Sequence, residues 1–211
     1  MYNRIDLDDP NVFANLRNFA EKNGIEPHSV TRYNPSFDFE KNDFCSYAIV
    51  TPEIKGLGMK DRNGLHSDAL FTTNANHGLL LPVADCIAAV LYDPEHHVLG
   101  LAHLGRHSLE QFGGQKIIAF MQSSFGSRPE KIEIHLSPSV SQQSYPIWAL
   151  DNKGMKEATL EQLQTAGILP QNIINNTAET DLGDRYYSYS QFLKGNRDAD
   201  GDHAVVAVMK D

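Results

Sequence analysis

The sequence predicts a mixed α/β layered sandwich of the α+β class, built as one domain over residues 1–211. Four short, nearly continuous apolar runs crowd into residues 69–102. That is the pattern of strands covered on both faces. Helically spaced apolar residues stand before and after them, near 12–20, 112–125 and 152–166. Some of the expected strands are joined by short turns and others by helices. Elements mixed in this way must layer to cover their apolar faces.

The first helix opens at Asp9-Pro10, where Asp caps free N–H groups and Pro fits the first turn. Val12, Phe13, Leu16, Phe19 and Ala20 form its apolar stripe, and Gly24 ends it. Asn34-Pro35 and Thr51-Pro52 mark turns, and Ser46 to Val50 reads as a strand. Gly56, Gly58, Asn63 and Gly64 suggest a mobile loop before His66. Strands follow over Ala69–Thr72, Leu79–Val83, Ile87–Tyr92 and Val98–Ala102, with Asp93-Pro94-Glu95 turning between the last two. Ser108-Leu109-Glu110-Gln111 reads as a capping box. It predicts one helix with Phe112, Ile117, Ile118, Met121 and Phe125 on its apolar face, weakened by Gly113-Gly114. Lys131 to Leu136 alternates as a half-exposed strand. A helix from about Asn152 to Ala166 and a last strand over His203–Met209 complete the set.

Hydrophobic residues make up 41% and charged residues 21% of the 211, the composition of an ordinary globular protein. The net charge of −9 argues against non-specific binding of a phosphate backbone, so no nucleic-acid partner is expected. Two cysteines, Cys45 and Cys86, do not make a disulfide framework. The N-terminus lacks a basic-then-apolar signal pattern, and Pro82 and Asp85 interrupt the longest apolar run. The expected location is the cytoplasm, with no membrane partner.

The chemistry concentrates at two strand ends. Cys86 begins one apolar run and His103 closes the next, close enough for one hairpin to bring them together. Asp85 beside the cysteine is a carboxylate within an apolar run, costly to bury unless something pairs with it. Thiolate and imidazole suit a zinc ion, which needs a third ligand from His66, His77 or His107. They equally suit a nucleophile and its base. Arg106 and His107 open the following helix, an arrangement that favours an anion such as phosphate. Asp198-Ala199-Asp200-Gly201-Asp202 resembles a calcium loop but misplaces the Gly and lacks the closing Glu, so it reads as a solvated turn.

Three blocks carry a family resemblance: Ser67-Asp68-Ala69-Leu70, Val83-Ala84-Asp85-Cys86-Ile87 and Ala102-His103-Leu104-Gly105. They resemble the laccase-domain, YfiH-like proteins, described variously as polyphenol oxidases, purine nucleoside phosphorylases and peptidoglycan-editing factors. Ser137-Pro138-Ser139 and Tyr187-Ser188-Tyr189 are weaker echoes. The resemblance implies a compact mixed α/β fold with a zinc ion held by one Cys and two His. It implies a monomer or homodimer that cleaves purine nucleosides with phosphate or deaminates them. Carried over, Cys86 matches the Cys ligand and His103 one His ligand. The family's first His ligand, in a Gln-Val-His-Gly turn, has no match, and His66 or His107 is the substitute, with Asp85 or His66 supporting the catalytic site and Arg106 meeting phosphate or another anion. The chain departs from the family where Arg106-His107-Ser108 replaces a Trp-Arg-Gly and where Ser190-Gln191 replaces an Arg pair. The fold is also similar to that of glutamine deamidases related to the cytotoxic necrotizing factors, which use a Cys–His pair without metal. A non-catalytic binding protein is the remaining alternative.

Overall fold

The computed structural model describes residues 10–36 and 40–210; Asp9, the expected cap of the first helix, lies outside them. The chain begins with α1 (Pro10–Lys22) and reaches its turn at Gly24, whose φ of 69° suits only a residue without a side chain. It then forms β1 (Val30–Asn34), β2 (Tyr47–Ile49), β3 (Leu65–His66), β4 (Ala69–Thr72) and β5 (Gly78–Val83). The hairpin of β6 (Ile87–Asp93) and β7 (Val98–Leu104) comes next. There follow α2 (Arg106–Glu110), α3 (Gly113–Phe125), β8 (Glu133–Leu136), α4 (Met155–Thr165), β9 (Ile173–Asn175), α5 (Tyr189–Leu193) and β10 (His203–Ala207).

The strands form two sheets, of order β10-β5-β1-β3 and β2-β4-β7-β6-β8-β9. Side chains alternate across each strand, so three apolar layers follow from the sequence pattern. Leu80 and Val30 meet Val12, Phe13 and Leu16 of α1 on one outer face. Leu79, Leu81 and Tyr33 meet Leu70, Ala88 and Leu101 between the sheets. Phe71, Ala89 and Leu104 meet Ile117, Ile118, Met121 and Leu163 of α3 and α4 on the other outer face. The order is helix, sheet, sheet, helices. Tyr33 is fully buried and its hydroxyl donates to the Leu101 carbonyl at 2.7 Å, tying one sheet to the other.

Several expectations are corrected. The capping box at Ser108 does not cap: α2 begins earlier, at Arg106, and Phe112 with φ 61° breaks the expected single helix in two. Gly113 and Gly114 allow close contact rather than weakening a first turn. A Cβ on Gly113 would lie 2.0 Å from Ser108 Oγ, and one on Gly114 would lie 2.8 Å from Gln162 Cβ. The segment before His66 is packed, with Met59 buried against α1. Asp200 and Asp202 are buried, so the 198–202 segment is not a solvated turn.

His77 closes off one polar contact inside the α1 side of the fold. Thr31 Oγ1 donates its single hydrogen to the Ile54 carbonyl at 2.9 Å, so it accepts from His77 Nε2 at 2.8 Å. Burial, reinforced by Lys55, pushes the His77 pKa down to about 4, so the ring is neutral at pH 7 with its hydrogen on Nε2. Because the folded value lies below the ordinary one, the unfolded chain binds the extra proton. Stability is complete above about pH 6.5 and falls as pH drops toward 4. Urea unfolding should show a loss of about 1–2 kcal/mol from this group between about pH 7 and pH 5, absent in His77→Gln.

Candidate active site

The site lies at an open end between the sheets, where β5 passes into β6 and β7 passes into α2. Ile87 pairs with Leu104 and Ala88 with His103, which sets Cys86 opposite Gly105. A Cβ on Gly105 would lie 2.9 Å from Cys86 Sγ and 2.9 Å from His103 Cε1. The thiol and the imidazole thus converge on the space left by a missing side chain. Gly105→Ala should force the pair apart at a cost of about 1–3 kcal/mol in stability and a larger loss of turnover; thermal melts beside steady-state assays check this.

Asp85 shapes the turn into Cys86. The Cys86 amide donates to the Ala84 carbonyl at 2.9 Å while Asp85 holds φ 71°, a tight and strained γ-turn. The Asp85 carboxylate is 5% exposed, and both of its oxygens are engaged. Thr180 Oγ1 donates to Oδ1 at 2.6 Å and the Ser190 amide donates to Oδ2 at 2.6 Å. The pairing that a buried carboxylate requires is met within the protein, which makes Asp85 a positioning group.

A cavity of about 530 Å³ opens here. Its lining includes Asn34, Phe44, Asp68, Cys86, His103, Arg106, Tyr145, Tyr189 and Leu193. Asp68 is fixed by hydrogen bonds from Ser36 Oγ at 2.7 Å and from the Ser46 amide at 2.9 Å. Arg106 Nη2 donates to His107 Nε2 at 3.1 Å, and Arg106 Nε is buried with no hydrogen-bond partner. His107 stacks on Phe44 with ring centroids 4.6 Å apart. Burial and the neighbouring Arg106 push the His107 pKa down. Burial raises the Tyr145 pKa, and Arg106 works against that shift.

Of the residues singled out in the sequence, Cys86, His103, Asp85, Arg106 and His107 all line this cavity. His66 does not. It is exposed on β3, the edge strand, opposite Asn34 in the register. His77 precedes β5 and so stands at the far end of that strand from Cys86. Helix α2 is only five residues long, so the anion preference of this corner rests on Arg106 itself. Thr180, Ser190, Tyr145 and Phe44 were not singled out. One signal was present for α5: Ser188-x-x-Gln191 is a capping pattern, and Ser188 Oγ accepts from the Gln191 amide at 3.3 Å.

Fold and site together define a helix–sheet–sheet–helix sandwich with a thiol–imidazole cavity between its sheets. The chain belongs to the multi-copper polyphenol oxidoreductase laccase family, whose model matches residues 8–153. It is 29% identical over 101 residues to the purine nucleoside phosphorylase YlmD of Bacillus subtilis, covering 46% of this chain and 36% of that protein. It is 34% identical over 80 residues to a purine nucleoside phosphorylase of Deinococcus radiodurans, covering 38% of this chain and 31% of that one. The chain therefore matches about a third of the length of these two relatives. A purine nucleoside phosphorylase of Corynebacterium glutamicum is 27% identical over 141 residues, 66% of this chain and 53% of that protein. The crystal structure of Bacillus licheniformis protein YfiH superposes with a TM-score of 0.82 at 19% identity, over 94% of this chain and 81% of that one. YlmD from Geobacillus stearothermophilus also gives 0.82, at 19% identity, over 95% and 80% of the two chains. Both share the mixed α/β fold.

The family's description names copper, and the resemblance read from the sequence implies zinc. Cys86 and His103 are brought together, but no third ligand joins them. Among the described residues no group of three His, Cys, Asp or Glu side chains could hold a metal ion. The donor set of the described residues does not fit a resident zinc or copper centre.

Proposed function

We propose that the chain is an enzyme acting on a small molecule, a purine nucleoside cleaved by phosphate, in the cavity between the sheets. The observation that carries the reading is the cavity itself. Its volume of about 530 Å³ lies within the range of small-molecule sites, and it is lined by residues of the family blocks. In phosphorolysis a phosphate oxygen bonds to the ribose C1′ as the bond to the base breaks, and the base takes up a proton. Arg106 presents guanidinium donors for the phosphate, with Nε still to be satisfied. Phe44, Tyr145 and Tyr189 offer aromatic walls for a base. His103, in the lining, would pass the proton. Deamination of adenosine is the alternative outcome at the same cavity. The reading places the protein in the cytoplasm as a monomer or homodimer, with neither nucleic acid nor membrane as partner. No helix among the described residues is long and apolar enough to cross a membrane.

The test is chromatography of adenosine, inosine and methylthioadenosine incubated with the protein and phosphate. Base release should depend on phosphate, and Arg106→Ala should raise the phosphate KM by about tenfold to a hundredfold. Three untouched nucleosides would overturn the reading. A second reading, amide hydrolysis by Cys86 with His103 as base, is favoured by the convergence of the two groups at Gly105. Ammonia release from glutamine amides that Cys86→Ala abolishes would establish it, and ligand binding without turnover would leave a binding protein.

A further inference from the structure

We infer that the Cys86–His103 pair of this chain works without a resident metal ion, as a thiol and an imidazole open to the cavity. The inference concerns the same cavity as the proposed function but does not depend on which substrate is cleaved there. A zinc ion held tightly needs at least three protein ligands, and copper centres built from imidazoles need as many. The described residues supply two at this place.

Among the described residues none of the candidates for the third forms a metal-holding group with the pair. His66 is exposed on the edge of the other sheet, and His77 is bonded to Thr31 at the far end of β5. His107 lines the cavity, but its Nε2 accepts from Arg106 and its ring is stacked on Phe44. His203 is buried in β10 opposite Val83, with its ring edge-on to Tyr186 at 5.3 Å; its ring nitrogens lack a hydrogen-bond partner, but it completes no three-donor group with Cys86 and His103. Nor does a carboxylate among the described residues complete a three-donor group, Asp202 in the cavity lining included. The Asp85 oxygens serve Thr180 and Ser190, and those of Asp68 serve Ser36 and Ser46.

Charge points the same way. A dication bound by one thiolate and one neutral imidazole keeps a net positive charge. Arg106 lines the same cavity, one residue beyond Gly105, and carries a fixed positive charge that disfavours such an ion. With no metal over it, the Cys86 sulfur faces a cavity large enough to admit small electrophiles.

The test is metal content by mass spectrometry on the untagged full chain, wild type beside Cys86→Ala and His103→Ala. It is paired with iodoacetamide labelling of Cys86 with and without equimolar zinc. In labelling, sulfur bonds to the acetamide carbon as iodide leaves and the thiol proton goes to water. The expected result is less than about a tenth of an equivalent of zinc or copper, with Cys86 labelling changed by less than about twofold on adding zinc. Zinc retained equally by all three proteins also supports the inference, because that metal sits elsewhere. Near-stoichiometric zinc or copper that both variants lose would overturn it, as would protection of Cys86 by about tenfold or more. Failure of the nucleoside assay leaves these readouts unchanged, so the two conclusions fall separately.

Discussion

Asp85→Ala is expected to cost about 3–5 kcal/mol in stability and to disorganise the cavity wall, the larger of the local effects at this site. The substitution acts through two separable causes. It removes the acceptor for Thr180 Oγ1 and for the Ser190 amide, both bonded at 2.6 Å inside the protein. A buried donor left unsatisfied costs about 1–3 kcal/mol. It also keeps the Cβ that Asp85 already holds at a φ of 71°, a strain of about 1–2 kcal/mol that glycine lacks, while losing the short polar group that helps Asp tolerate this region. Asp85→Gly should therefore be less harmful than Asp85→Ala by about 1 kcal/mol, because the Cβ strain goes with the carboxylate. Asp85→Asn should be milder still. Its carbonyl can accept from the Ser190 amide and its NH₂ can donate to the Thr180 hydroxyl, so only the charge assistance is lost. The order Asn, Gly, Ala in urea unfolding is the signature of a positioning carboxylate on a strained turn. Tyr189, Ser190 and Leu193 line the cavity from α5, so the same series should raise KM in that order. Equal stability across the series would refute this account.

What the sequence made legible was whatever one short window decides. The runs at 69–72, 79–83, 87–92 and 98–102 read as strands because they are buried on both faces, and the structure places strands there. Cys86 and His103 were legible as a pair because one hairpin joins them. The partners of Asp85 were not, because Thr180 and Ser190 lie 95 and 105 residues away and are ordinary polar residues until the fold closes. The short exposed strand β9 offers no apolar run at all. The false capping box has a physical reason too. Ser108 is buried inside α2, and although its hydroxyl packs against Gly113 at the start of α3, it makes no capping hydrogen bond there. His66 looked like a ligand because it precedes a family block. Which sheet a residue joins is decided by long-range pairing, and β3 pairs with β1 on the other sheet.

Strand β1 went unread for a related reason, and its buried arginine leads to the second large effect: Arg32→Met should destabilise the protein by about 3 kcal/mol or more. Arg32 is only 2% exposed, which is rare for a cation. Its guanidinium donates through Nε to the Gly58 carbonyl at 2.6 Å, through Nη2 to the Asp61 carbonyl at 3.1 Å and through Nη1 to Asn34 Oδ1 at 2.6 Å. It also lies 5.7 Å from the centre of the Phe13 ring on α1. The loop folds around this group so tightly that a Cβ on Gly64 would sit 3.1 Å from the Arg32 carbonyl and 3.2 Å from its Cζ. One planar fork thus orders the 55–64 loop, and it reaches Asn34 in the cavity wall. Arg32→Lys should recover little, because a single ammonium cannot meet three acceptors set by a planar fork. Methionine fills the volume but leaves the Gly58 and Asp61 carbonyls without their donor. The loop should then open locally before the core does, so limited proteolysis should cut between residues 55 and 64 in Arg32→Met and spare the wild type. A variant as protease-resistant as the wild type would show that Met59 and the α1 contact hold the loop without the arginine.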